Sequence, residues 1–354
     1  MNQWGERFRV SIFGESHGEG IGIVIDGIPS GTKLDLDKIA FRMKRRAPGR
    51  NMLSTQRREA DEVKILSGFY NGMTTGTPLC GVIFNTDTRS RDYTPELLRP
   101  GHADFTALCR YGESRDFRGG GHFSGRITAP LVFAGAVAQQ ILSERGIEVG
   151  AHIYSIENVF DTPFDMAGVD KKTLNELLYK EFPVIDDSKG REMSAVIEKY
   201  RSEKNSVGGT VECAVCGISP GVGSPFFGSV ESRISSMMFS VPAVKGIEFG
   251  LGFRFAETDG KYANDEFYTN GEKIMTYTNH NGGINGGITN GMPIVFRTAL
   301  KPTPSIASEQ RTVDISKMEN TKIEIKGRHD PCIVHRSVPV IEAAAAIAIL
   351  NMIL

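Results

Sequence analysis

The order of strand-like and helix-like segments in this 354-residue chain predicts an α+β fold. Three observations carry that expectation. Apolar runs of strand length and alanine-rich or capped runs of helix length are mixed without strict β-α-β alternation, which argues against a doubly wound parallel sheet. Hydrophobic residues make up 40 % of the chain, enough for a substantial core. No internal repeat, low-complexity tract or linker interrupts it, so a single domain over 1–354 is expected.

The elements follow from local pattern. Residues 7–13 and 21–28 carry Val10, Ile12, Ile23, Val24 and Ile25, and read as two strands about a glycine turn. Asp35 caps a helix from Leu36 to Met43. Residues 44–58 read as a polar, basic loop. Strands are predicted at 63–69 and 77–85, a helix at 101–111 and a glycine loop at 117–125. The helix at 126–145 has Pro130 in its first turn and Gly146 past its end. Next come a strand at 147–156, helices at 171–180 and 190–202, and an alternating strand at 209–218. A helix at 231–239 and a strand at 243–253 precede a polar stretch, 254–281, with no clear pattern. Strands at 294–300 and 322–326 lead to a closing helix at 338–352.

Composition excludes several classes. A net charge of -1 gives no global attraction to nucleic acid or membrane. Five cysteines, an odd number in a long chain, do not make a disulfide framework, and a reducing cytoplasmic setting is expected. Residues 1–14 hold no apolar run suited to a signal peptide. The apolar stretch 338–354 is broken by Glu342 and Asn351 and is short for a membrane span. Cys213 and Cys216 form a lone Cys-x-x-Cys in an alternating strand, so they point to opposite faces and read as structural.

Side chains with chemistry cluster in a few segments. Glycines, 40 in all, concentrate at 14–31, 117–125, 208–228 and 282–291, where the backbone can turn sharply or approach a ligand. Gly14-Glu15-Ser16-His17-Gly18 puts an imidazole on a turn between strands. Arg99-Pro100-Gly101-His102-Ala103-Asp104 places an arginine and a histidine about a Pro-Gly turn, with Asp104 two residues on. Asp104 could equally complement a helix dipole. Gly119 to Gly121, His122, Phe123, Ser124, Gly125 and Arg126 lead into a helix N-terminus, where free backbone N–H groups suit an anion. Arg328-His329-Asp330 gathers a guanidinium, an imidazole and a carboxylate before Pro331. Arg42, Lys44, Arg45, Arg46, Arg50, Arg57 and Arg58 form a basic excess that suggests an anionic partner, or intramolecular pairing with Glu59, Asp61 and Glu62. The absence of stacking aromatics there weakens a nucleic-acid reading. No dinucleotide fingerprint or Walker pattern is present.

In this order, the segments resemble the chorismate synthase family over essentially the whole chain. Further matches are Thr74-Thr75-Gly76-Thr77, Pro242-Ala243-Val244-Lys245-Gly246, Gly282-Gly283-Ile284-Asn285-Gly286-Gly287 and Lys301-Pro302-Thr303. The resemblance implies a lyase of the shikimate pathway. It would convert 5-enolpyruvylshikimate 3-phosphate to chorismate and phosphate by anti-1,4 elimination, using reduced FMN without net redox change. NADPH serves some members as reductant. It also implies a β-α-β sandwich, with helices between antiparallel sheets, and a homotetramer. By the same resemblance, His17 protonates the departing phosphate, His102 stands near the flavin, and Asp330 assists proton removal. Ser16, Arg46, Arg99, Arg126 and Arg328 match substrate binders. Ser124, Ala243, Gly286, Lys301, Pro302, Thr303, Pro304, Ser305 and Arg328 match flavin contacts. The chain departs from the family pattern at Ala47, where relatives often continue an arginine run, and at Met52, where they often carry another arginine that Arg50 could replace. It departs again at His122, Phe123 and Ile127 in the glycine loop. A flavin oxidoreductase, and a protein that binds a phosphorylated ligand or RNA, are the competing readings.

Overall fold

The structure is a computed structural model that describes residues 2–49, 59–86, 94–325 and 330–354. The first sheet forms early in the chain. Strands β1 (Gln3–Trp4), β2 (Arg9–Gly14) and β3 (Gly20–Asp26) are followed by helix α1 (Leu36–Arg46) and strand β4 (Lys64–Ser67). A small hairpin, β5 (Phe69–Tyr70) and β6 (Met73–Thr74), leads to β7 (Leu79–Phe84). The sheet is antiparallel in the order β1-β2-β3-β7-β4. Asp35 caps α1 by accepting from the N–H groups of Asp37 and Lys38, at 3.0 and 3.1 Å. The helix stops at Ala47, which is extended as the residue before Pro48 must be.

Helices α2 (Asp104–Tyr111) and α3 (Thr128–Glu144) follow, joined through three short 3-10 turns. Then come β8 (Glu148–Ile156), β9 (Val159–Phe160), α4 (Lys171–Leu178), α5 (Asp187–Ser202), β10 (Gly209–Cys216), α6 (Val230–Met238) and β11 (Val244–Phe249). Helix α7 (Gly260–Ala263) and the hairpins β12 (Phe267–Thr269) with β13 (Ile274–Thr276), and β14 (Ile284–Asn285) with β15 (Ile288–Thr289), precede β16 (Ile294–Leu300). A last hairpin, β17 (Gln310–Asp314) with β18 (Glu319–Ile323), leads to α8 (Val334–Ile353). The second sheet is also antiparallel, ordered β11-β16-β10-β8-β9.

Helices α3 and α8 lie between the sheets: α3 meets β2, β3 and β7, and α8 meets β8 and β10. The predicted α+β class and sandwich arrangement are therefore observed. Both helices are apolar nearly all round, as burial from every side requires. They cross so closely at Gly135 that a Cβ there would lie 2.2 Å from the Cβ of Ala343. One apolar cluster runs through both sheets and both helices. Helix α8 is long and apolar enough to cross a membrane, yet 83 % of its most apolar window is buried within the fold.

Four local expectations need correction. Residues 44–46 belong to α1 rather than to a loop, because Arg45 and Arg46 point into the protein and find carboxylates there. The helix predicted at 101–111 starts at Asp104, after the Pro-Gly turn. Helix α8 begins at Val334, a turn earlier than expected, and keeps Pro339 inside it, where burial outweighs the lost backbone bond. The last strand is Glu319–Ile323, paired with β17 (Gln310–Asp314), which the pattern did not show. Cys213 and Cys216 do face opposite sides of β10, one in each apolar cluster. Burial pushes the Cys216 thiol up to about 12 and that of Cys213 well above its ordinary value.

Candidate active site

A cavity of about 750 Å³ opens where the first turns of α3 and α8 meet β1, β2 and the end of α6. Both central helices thus aim N-terminal turns at one space, a setting that favours anions. Trp4, Val10, Ile12, Leu131, Met237 and Val340 supply apolar wall, suited to a flat ring system. His102, Lys301, Asp330 and four arginines supply charge.

The glycine loop forms one side. Gly119, Gly120 and Gly121 all have positive φ, 60°, 84° and 53°, which side chains other than hydrogen rarely tolerate. A Cβ on Gly119 would lie 2.5 Å from the His17 ring, and one on Gly120 would lie 3.2 Å from His102 Nε2. Two histidines from distant segments therefore press on the same loop from different sides. The Ser16 N–H donates to the Gly121 carbonyl at 3.1 Å. Neither Ser16 nor His17 lines the cavity; both lie against Gly119, which does. His122 lines it and uses Nδ1 on the Gly14 carbonyl at 2.8 Å.

The Pro-Gly turn before α2 forms another side. His102 Nδ1 meets Asp104 Oδ1 at 2.7 Å, and Arg99 grips the same carboxylate through Nε and Nη2, both at 2.7 Å. Burial raises the Asp104 pKa, but Arg99 and His102 outweigh it and hold the carboxyl well below the usual range.

Every arginine lining the cavity among the described residues meets a carboxylate. Arg46 Nη1 donates to Asp61 at 2.8 Å, while its other nitrogens reach Thr128 Oγ1 and the Gly125 carbonyl. Arg126 Nη1 also donates to Asp61, and its Nη2 lies 2.5 Å from Glu59, outside hydrogen-bond geometry. Asp61 is fully enclosed and sits at φ 53°, a backbone region uncommon for a side-chain-bearing residue. Arg46 and Arg126 keep its carboxyl low against the desolvation that pushes it up. Burial drags the Arg46 guanidinium down to about 10. Arg336 Nη1 holds Asp330 at 2.5 Å.

The expected residues are thus mostly gathered. Arg46, Arg99, His102, Ser124, Arg126, Ala243, Lys301, Thr303, Pro304, Ser305 and Asp330 line one cavity. Gly286 lies elsewhere, in the β14–β15 turn, and Pro302 does not line the cavity. Arg328 lies outside the described residues, as do His329, Arg50, Met52, Arg57 and Arg58. The basic excess at 42–46 proves intramolecular in large part. Arg42 and Arg45 both pair with Glu342 in the middle of α8. Asp61, Asp104 and Arg336 were not predicted as site residues. The Arg-x-x-x-x-Asp spacing around His102 is a signal that could have found Asp104. Nothing local marks Arg336.

The site has unmet hydrogen-bonding capacity. Thr303 Oγ1 is buried without a hydrogen-bond partner. Ala243 holds φ 73° at the cavity edge, a strained value for alanine.

A model of the chorismate synthase family matches residues 8–354. A chorismate synthase of Dehalococcoides mccartyi is 41 % identical, with 100 % of this chain and 96 % of the relative covered. Those of Methanothermobacter thermautotrophicus and Pyrococcus abyssi are each 44 % identical, covering 98 % and 97 % of this chain and 92 % and 95 % of theirs. A crystal structure of chorismate synthase superposes with a TM-score of 0.77 at 28 % identity, over 99 % of this chain and 92 % of that one. Fold, whole-chain similarity and the gathering of the motif residues agree: the chain belongs to the chorismate synthase family of lyases.

Proposed function

We propose that this chain, acting as one domain, eliminates phosphate from 5-enolpyruvylshikimate 3-phosphate in the anti-1,4 sense to give chorismate, a shikimate-pathway step, with reduced FMN in the cavity and no net oxidation. What carries the reading is that His102 and Asp330, from opposite halves of the sequence, line one cavity together with four arginines. The apolar wall, the unpartnered Thr303 hydroxyl and the edge formed by Ala243, Lys301 and Ser305 suit a flavin with its phosphate tail. When bound, reduced FMN supplies an electron to the substrate and takes it back.

The protein's own groups do the rest. The α3 N-terminus, with Ser124, Arg46 and Arg126, draws the substrate's anionic groups into place. Because Asp61 and Glu59 already neutralise those two arginines, an incoming anion shares their remaining donor capacity or displaces a carboxylate. His17, packed against Gly119 of the cavity wall, would supply the proton for the departing phosphate across the glycine loop. In its imidazolium form His102 would donate from Nε2 to the flavin and favour the flavin's anionic reduced form. Asp330, steadied by Arg336, receives the proton lost from carbon. We infer a homotetramer in a reducing, cytoplasmic setting, which the five free cysteines support. Sedimentation at four times the 38.7 kDa chain mass is the expected result.

The test is anaerobic turnover with reduced FMN. Many chorismates per flavin, with the flavin still reduced, is expected. One flavin oxidised per product would make the chain an oxidoreductase instead. The same assay in air, with NADPH as sole reductant, tests whether the chain reduces its own flavin.

A further inference from the structure

We propose that Asp104, clamped by Arg99, is a positioning residue for His102: it holds the imidazole by its Nδ1 proton, so that Nε2 alone serves the cavity. This rests on the role given to His102 above and deepens it. The geometry fixes the tautomer. Asp104 Oδ1 lies 2.7 Å from Nδ1, and Arg99 Nη2 lies 3.1 Å from the same nitrogen. An ionised carboxylate only accepts and a guanidinium only donates. The shorter contact requires a proton on Nδ1, so the Arg99 approach is not a bond to the ring. Both donors converge on one oxygen, and Arg99 Nη2 meets it at 2.7 Å.

The carboxylate itself cannot swing away. Its second oxygen accepts from Arg99 Nε at 2.7 Å and from the Arg99 backbone N–H at 3.1 Å. Asp104 is the first residue of α2, yet it turns back toward residues 99 and 102, and the helix gains no side-chain cap from Ala103. Nε2 points at Gly120, where the missing side chain leaves it uncovered. Among the described residues, the charged and titratable groups near His102 include Asp104 and Arg99 on its own turn, Lys301, whose ammonium donates to the Gly101 carbonyl, and His17 and His122 at the glycine loop. Of these, Asp104 is the anion in contact with the ring, so it sets which nitrogen exchanges protons with the cavity.

The experiment compares kcat against pH for the wild-type enzyme with reduced FMN and for Asp104→Asn, which keeps the shape and removes the charge. The pH profile of kcat should shift, because the ring loses the anion that holds its Nδ1 proton. Near neutrality kcat should fall ~10- to 100-fold, with KM changed less than ~3-fold. Asp104→Glu should restore part of the shift. An unmoved profile would overturn the proposal, and so would parallel losses of kcat, FMN affinity and thermal stability. His102→Ala separates the two levels. If it turns over normally, the role of His102 falls; if it is slow while Asp104→Asn keeps the wild-type profile, only the role of Asp104 falls. Nitrogen-15 NMR of labelled histidine in the wild-type holoenzyme gives an answer independent of any variant's folding: the proposal requires the Nδ1–H form of neutral His102, and the Nε2–H form contradicts it.

Discussion

Gly119 lines the cavity and packs against the ring of His17. Its φ of 60° is costly for any larger residue, and its absent Cβ would overlap the imidazole at 2.5 Å. Gly119→Ala should therefore displace His17 and lower kcat by ~10- to 100-fold, as small misplacements of reacting groups do. Gly260, away from the cavity, is the control: nothing lies within 4 Å of the Cβ it lacks, and Gly260→Ala should leave kcat near wild type. Equal effects of the two would show that His17 does not depend on the loop. Glycine clusters are visible in sequence, but which glycine faces a histidine is not. That contact joins residues about a hundred positions apart.

At the scale of elements, α1 is fastened to α8 by charge inside the core. Glu342 is 1 % exposed and accepts from Arg42 at 2.9 Å and from Arg45 through both oxygens. Removing one partner strands a buried charge, so Glu342→Gln should destabilise by ~3 to 5 kcal/mol in urea unfolding. Glu342→Leu combined with Arg45→Met should recover much of that loss; simple additivity would mean the pair is not coupled. A second buried network crosses the other sheet. His152 lies 2.9 Å from both Asp161 and Glu212, and Glu212 pairs with Arg297. Burial pushes the His152 pKa down, but the two carboxylates prevail and raise it. It therefore stabilises the fold at pH below its unfolded value, an effect lost as pH rises through the folded one. Glu342 reads in sequence as a flaw in an apolar run. Its partners lie 297 and 300 positions away, beyond any local pattern.

For the whole molecule, His335 contributes to acid sensitivity. Both its ring nitrogens are buried without partners, and it stacks on Phe182 at 6.1 Å. Burial pushes its pKa down to about 4; Asp330 opposes this and Arg336 adds to it. The unfolded chain, with a value of about 6.5, takes up the proton first as pH falls. The stability it contributes is thus complete above about pH 6.5 and lost toward pH 4, on the order of 3 kcal/mol. His335→Leu should flatten melting temperature between those limits, and an unchanged slope would assign the loss to other groups.

The sequence by itself determined the residue types at the site, the order of most strands and helices, and the resemblance to a family. Motif spacing and apolar period are local, and the chain carries them wherever it folds. Tertiary structure alone decided that His17 packs against the glycine loop, that Arg46 and Arg126 share Asp61, and that Arg336 steadies Asp330. It also made Arg42 and Arg45 of the basic run at 42–46 internal counter-charges for Glu342 of α8. Those outcomes depend on which buried charges meet, and a charge in a low-dielectric interior takes whatever opposite partner the packing brings within reach, however distant in sequence.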